Sequence, residues 1–147
     1  MEKSIYQCLI NIFKVGVYME TIYNARITDT KLGFEDHDNL TLCLYTEFDG
    51  ACCGFGGCSF GRKVDIWDEK ILEVTGIEYV SYPYTSELLM RILDVIGVRN
   101  WEDIKGQLIR VKTNGLKSCA GKILAIGNIL EDKWFNLEEF YLSKENN

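Results

Sequence analysis

From Leu40 to Phe48 the residues alternate without a break. Leu40, Leu42, Leu44, Thr46 and Phe48 fall on one side, and Thr41, Cys43, Tyr45 and Glu47 on the other. A period of two with one apolar side is the pattern of a half-buried antiparallel strand, because a helix repeats its apolar face every three to four residues. Asp49-Gly50 follows at once and is a strong tight-turn signal. Ala51–Phe60 is therefore expected to return as the partner strand, with its glycines placed where backbone bends or comes close to a neighbour.

The rest of the chain is arranged around that hairpin. Thr21–Thr30 suits a strand, although Ile22, Ala25 and Ile27 do not strictly alternate, and Lys31-Leu32-Gly33 reads as a turn. Between residues 62 and 83 the pattern is hardest to assign. Ile71-Leu72-Glu73-Val74 suits one short strand, Ile77–Tyr82 another, and Pro83 ends the run. From Thr85, a plausible N-cap, the residues Leu88, Leu89, Ile92, Leu93 and Ile96 form an apolar face at helical spacing, with Gly97 as terminator. Asn100–Asp103 suits a short capped turn and Gln107–Thr113 a strand. Asn114-Gly115 is a hairpin signal, a return strand is expected within Lys122–Ile126, and Gly127-Asn128 breaks it. Trp134 and Phe135 are a large apolar pair, and Asn136 with Glu139 suits the cap of a short C-terminal helix. The expected fold is α+β: an antiparallel β-sheet or small barrel packed by one main amphipathic helix, with a short C-terminal helix.

Composition narrows the function classes. The 147 residues suit one domain, assigned to 19–147. Residues 1–18 form an N-terminal apolar extension with Ile5, Leu9, Ile12, Phe13 and Val17 near helical spacing, and Met19 is a second candidate start. That segment is too short for a transmembrane helix; an exposed stripe of this kind would favour self-association or membrane contact, and the plain alternative is that it covers the sheet. No membrane partner is assigned. The net charge is −6, with the acids spread along the chain, which disfavours direct nucleic-acid binding and permits a basic protein partner or a small ligand. Six cysteines and no secretory signal suggest reduced thiols in a cytoplasmic protein. Cys52 or Cys53 with Cys58, Cys119 and His37 would be the one zinc alternative, against a reading of the cysteines as small apolar filler. No metal or cofactor is assigned.

The segments ARITDTKLGFEDHDNLTLCL, GFGG, RILDVIGVRNWEDIKGQLIRV and AIGNILEDKWF together resemble a group of small proteins encoded in bacteriophages and prophages. The likeness runs from Asn24 to Phe135. Members often carry glycine at the position of Asp38, and the cysteine cluster lies outside the pattern. The group has no established activity to carry over. What the resemblance implies is a phage setting, in which small acidic proteins often counter host defence, and hence the host cytoplasm.

Three features are candidates for a site. Asp36-His37-Asp38 places carboxylates beside the chain's one imidazole, the arrangement of a general acid–base pair; the plain alternative is a polar loop whose aspartates cap the turn. Gly54-Phe55-Gly56-Gly57 has backbone N–H groups able to cradle a phosphate, but it lacks the spacing of a dinucleotide fingerprint; the alternative is a bulged strand packed closely. Arg110 has a guanidinium suited to a phosphate or carboxylate. The acidic turn and the glycine run are expected to meet at one end of the sheet and bind a ligand between them. The functional expectation is a phage or prophage accessory protein that binds and neutralises a host component, either a defence protein or a small nucleotide signal, without catalysis. It could form a homo-oligomer. The alternatives are a small hydrolase using His37 with Asp36 or Asp38, and a structural assembly protein.

Overall fold

The computed structural model describes residues 20–114 and 123–146. The apolar extension 1–18, Cys8, Gly115 and Cys119 lie outside them. Among the described residues there are seven strands: β1 (Thr21–Glu35), β2 (Asn39–Phe48), β3 (Ala51–Asp68), β4 (Glu73–Ser81), β5 (Leu108–Thr113), β6 (Ile123–Asn128) and β7 (Trp134–Asn136). Two helices among the described residues accompany them, α1 (Thr85–Ile96) between β4 and β5 and α2 (Leu137–Glu145) after β7. A 3-10 turn, Trp101–Asp103, follows α1. The strands form one sheet in the order β4-β3-β2-β1-β5-β6-β7, with every neighbouring pair antiparallel.

The chain builds this sheet in two meanders. β1 to β4 step outwards to one edge. The chain then crosses back through α1 to the other side of β1, and β5 to β7 step outwards to the opposite edge. β1 is the seam: Thr21–Arg26 pairs with β5, and Arg26–Glu35 pairs with β2. A bulge at Thr28 explains the broken alternation in this strand. Before it Ala25 and Ile27 point into the core; after it the same face carries Thr30, Leu32 and Phe34, because one extra residue changes the parity. Lys31-Leu32-Gly33 is strand, not turn. The true turn is Asp36-His37-Asp38, three residues in the left-handed region that aspartate tolerates better than most.

β2 keeps the expected register, with Leu42, Leu44, Thr46 and Phe48 buried. The buried Thr46 hydroxyl donates to the Cys53 carbonyl at 2.8 Å, so that polar group is satisfied. Asp49 and Gly50, at φ 50° and 73°, make the tight turn into β3. β3 runs well past the expected end at Phe60, and β4 is one strand where two short ones were expected.

The sheet curls, so that β3 approaches β6 across the inner face and the rings of Phe55 and Phe135 meet edge-on at 6.2 Å. α1 fills that face with Leu88, Ile92, Val95 and Ile96, and Ile104 seals it behind the 3-10 turn. The helix has the expected bounds, but its N-cap is Tyr84 in the left-handed region, not Thr85, whose hydroxyl instead donates to the Tyr82 carbonyl. Gly97 terminates it at φ 86° and donates to Leu93. Asn136 caps α2 by accepting from the Glu139 N–H at 3.1 Å. Among the described residues, no helix is long and apolar enough to cross a membrane.

Candidate functional site

The acidic turn is built by three consecutive left-handed residues, Asp36, His37 and Asp38, at φ 32°, 60° and 61°. Aspartate tolerates this region better than most residues, since its short polar side chain bonds locally. The Asn39 amide donates to the Asp36 carbonyl at 2.5 Å, and Asp38 accepts the Lys63 N–H through its carbonyl at 3.1 Å. The Lys63 ammonium lies 3.5 Å from the Asp38 carboxylate and 4.8 Å from the centre of the Phe34 ring. His37 is exposed, and no hydrogen bond among the described residues joins its imidazole to either aspartate. Among the described residues nothing orients the ring as a general base.

The glycine run does not meet this turn. Asn39 and Leu40 pair with Arg62 and Gly61, whereas Gly56 pairs with Cys43, about 13 Å further along β2 at strand rise. Gly61, Arg62 and Lys63 take the place expected for the glycines, because β3 is longer than expected and carries two bulges in this stretch. Phe55, expected to bind, lies in the core at 2% exposure. It faces inwards because it pairs with Leu44, the centre of the buried row on β2. At Gly56 a Cβ would sit 2.5 Å from the Leu42 carbonyl oxygen, so close backbone packing accounts for that glycine. A Cβ on Gly54 would lie 3.0 Å from the Cys43 sulfur. Gly57, at φ 74°, faces open space and forms the bulge.

Arg110 is separate from both. It pairs with Asn24, about 36 Å along β1 from Glu35 at strand rise. Its guanidinium donates to the carbonyls of Asn128 at 2.7 Å and Glu131 at 2.6 Å, and it stands 4.7 Å from the centre of the Trp134 ring. These bonds close the β6–β7 turn and use the fork that a ligand would need.

Nor do the described cysteine side chains, Cys43, Cys52 and Cys53, converge. Cys52 and Cys53 are consecutive in a strand, so one is exposed and the other buried in the core, and they cannot chelate one ion together. Cys43 is half-buried and its thiol pKa is pushed up by that burial. Among the described residues, no group of three or more His, Cys, Asp or Glu is placed to hold a metal. A shallow cleft of about 290 Å³ lies at the β7 edge between the helices, lined by Arg91, Trp134, Asn136, Glu139 and Phe140. Arg91 offers little free charge there: Glu87 holds it at 2.9 Å, and it stacks over Phe140 at 5.7 Å.

The feature that does stand out lies where the sequence pattern was hardest to assign. β2 begins at Asn39, opposite Arg62, so among the described residues β3 beyond Lys63 has β4 as its sole partner. The result is a two-stranded arm that runs about 17 Å past the acidic turn, from Val64 to Asp68 at strand rise, and returns through Glu73–Tyr79. Both faces of the ribbon meet solvent. It nevertheless carries Trp67 at 61% exposure, Leu72 at 77% and Tyr79 at 71%, with Ile66, Val74 and Ile77 also exposed. Apolar residues interleaved with acids were the visible sign of it in the sequence.

Comparison of the chain with protein-family models, with curated proteins and with solved structures finds no match in any of the three.

Proposed function

We propose that this protein works by binding rather than by catalysis: a phage or prophage accessory protein of the host cytoplasm that engages and neutralises a host component, and that this component is a protein rather than a small nucleotide. The phage setting rests on the sequence resemblance alone. The positive φ at Asp38 is in keeping with it, since the left-handed region favours the glycine that the resembling group often has there. The choice of a protein target rests on the arm. Soluble domains rarely leave large clustered apolar side chains on a projecting element unless a partner covers them, and Trp and Tyr are the residues that dominate protein interfaces. A small nucleotide would instead need convergent donors in a concavity. The acidic turn, the glycine bulge and Arg110 are apart, and the Arg110 fork is committed to main-chain carbonyls.

The test is affinity capture from bacterial host cells, with Trp67→Ala and His37→Ala compared to the parent protein. A saturable host protein held by the parent and by His37→Ala, and released by Trp67→Ala, is the expected result. Loss on His37→Ala with retention on Trp67→Ala would move function to the turn and sink this reading. Hydrolytic turnover that depends on His37 would do the same.

A further inference from the structure

We infer that the arm is an insertion element for a basic-rimmed apolar groove on a partner protein, read through the one face that carries Trp67, Val74, Ile77 and Tyr79; this deepens, and rests on, the binding function proposed above. The face follows from register. Lys63 pairs with Tyr79, Asp65 with Ile77 and Trp67 with Val74, so these side chains share one side of the ribbon. The same side continues across the sheet to Phe34, which pairs with Leu40, which in turn pairs with Gly61. Phe34 is 52% exposed, and Leu32 beside it 44%. The inner face of the sheet thus extends as an open apolar strip beyond the part that the helices cover.

Charge selects the occupant. From Val64 to Ser81 the chain has five carboxylates, Asp65, Asp68, Glu69, Glu73 and Glu78, and one cation, Lys70. Among the described residues none of these carboxylates forms an ion pair, although Glu35, Asp38, Glu87 and Glu131 on the body all do. Asp68 and Glu73 even face each other across the strands, an arrangement that costs stability. A second copy of this arm would bring five more unpaired carboxylates against these. An anionic lipid surface or a nucleic acid would repel them in the same way. A protein groove with apolar walls against the strip, and lysines or arginines on a rim that reaches past it to Glu73 and Glu78 on the reverse of the ribbon, matches both features.

The probe is a synthetic amphipathic helix of leucine and lysine, labelled and titrated with the full-length protein by fluorescence anisotropy. Its leucine and glutamate counterpart serves as the control. The lysine peptide should bind and the glutamate peptide should not, and added salt should weaken the complex. Trp67→Ala and Tyr79→Ala should each weaken it at least about tenfold, the loss typical of an interface anchor. Glu73→Lys with Glu78→Lys should weaken it as well. The first of these changes replaces a like-charge pair with an attractive one, so that loss would not come from unfolding. Peptide binding through the arm without any saturable host protein would support this docking mode and remove the function proposed above. Equal binding of the two peptides would overturn the inference. So would capture by phosphatidylglycerol vesicles, a self-dimer in sedimentation that the arm variants dissolve, or a host protein held equally by the parent and Trp67→Ala.

Discussion

At Gly127 one methyl group separates a closed sheet surface from a disrupted one. Trp134 lies flat across this residue from the neighbouring strand, and a Cβ there would stand 2.6 Å from the indole ring. The ring is in turn flanked by Arg110 at 4.7 Å and Lys112 at 4.3 Å. Gly127→Ala should therefore displace the indole and cost about 1–3 kcal/mol, the usual penalty of overpacking. Gly33→Ala is the matched control: nothing lies within 4 Å of its Cβ position, and the change should be neutral or stabilise by up to about 1 kcal/mol. Urea midpoints for the two variants check the pair, and equal midpoints would mean the indole is not held as described. Burial ranks the helix residues in the same manner. Ile92 is fully buried, so Ile92→Ala should cost about 2–5 kcal/mol. Leu93, only half-buried at the edge of the core, should cost less.

Between elements, polar clips hold what apolar packing leaves loose. Glu87 on α1 accepts from Lys144 on α2 at 2.6 Å and from Arg91 at 2.9 Å, and these cations, Lys144 first, hold its carboxyl below the ordinary 4.5. A carboxyl with a depressed folded-state pKa adds stability above its unfolded value and loses it as pH falls through the folded one. Acid unfolding should therefore include a contribution below pH 4.5 from this clip. Lys144→Met keeps the apolar stem that packs near Tyr84 and Phe140, and should make the acid limb of a stability–pH curve shallower. An unchanged slope would show that the helices are held by packing alone. Asn128 is the second clip. Its amide donates to the Val95 carbonyl at 3.0 Å, and its oxygen accepts from the N–H groups of Leu130 and Glu131. Asn128→Ala should cost about 1–3 kcal/mol, because it leaves a part-buried helix-end carbonyl without its donor. Thermal unfolding followed by circular dichroism measures that loss.

At the scale of the whole molecule, stability is uneven. The centre of the sheet, β1, β2 and β5, is paired on both sides and backed by the core, whereas the arm is a ribbon of two strands with both faces wet. Two strands alone are marginal in water. In native-state hydrogen exchange the amides of Val64–Tyr79 should exchange well before those of Ile109–Val111, and a partner that seats on the arm should slow them selectively. Equal protection of arm and centre would contradict the exposed ribbon. A loosely held arm on a firm sheet also suits binding, since adjustment to a groove then costs the body nothing.

How far the sequence reached follows from the range of the forces involved. Alternation from Leu40 to Phe48, the Asp49-Gly50 turn, the helix Thr85–Ile96 with its Gly97 stop and the Asn136 cap were all legible, because each depends on residues within a few positions of one another. The antiparallel α+β character followed from them. The lengths of β1 and β3 did not, since a bulge at Thr28 and two more in β3 reset the parity that a local pattern relies on. Nor could the sequence decide which glycines were wanted for a close neighbour: Gly56 answers to the carbonyl of Leu42 and Gly127 to the ring of Trp134, both brought there by strand pairing. The same pairing separated His37 from the glycine run, turned Phe55 into the core and gave the Arg110 fork to main-chain carbonyls. Local chemistry set the elements. Register, a property of two strands at once, decided which side chains share a surface, and so gathered the exposed apolar side chains of the arm on one face and kept the histidine turn apart from the glycine run.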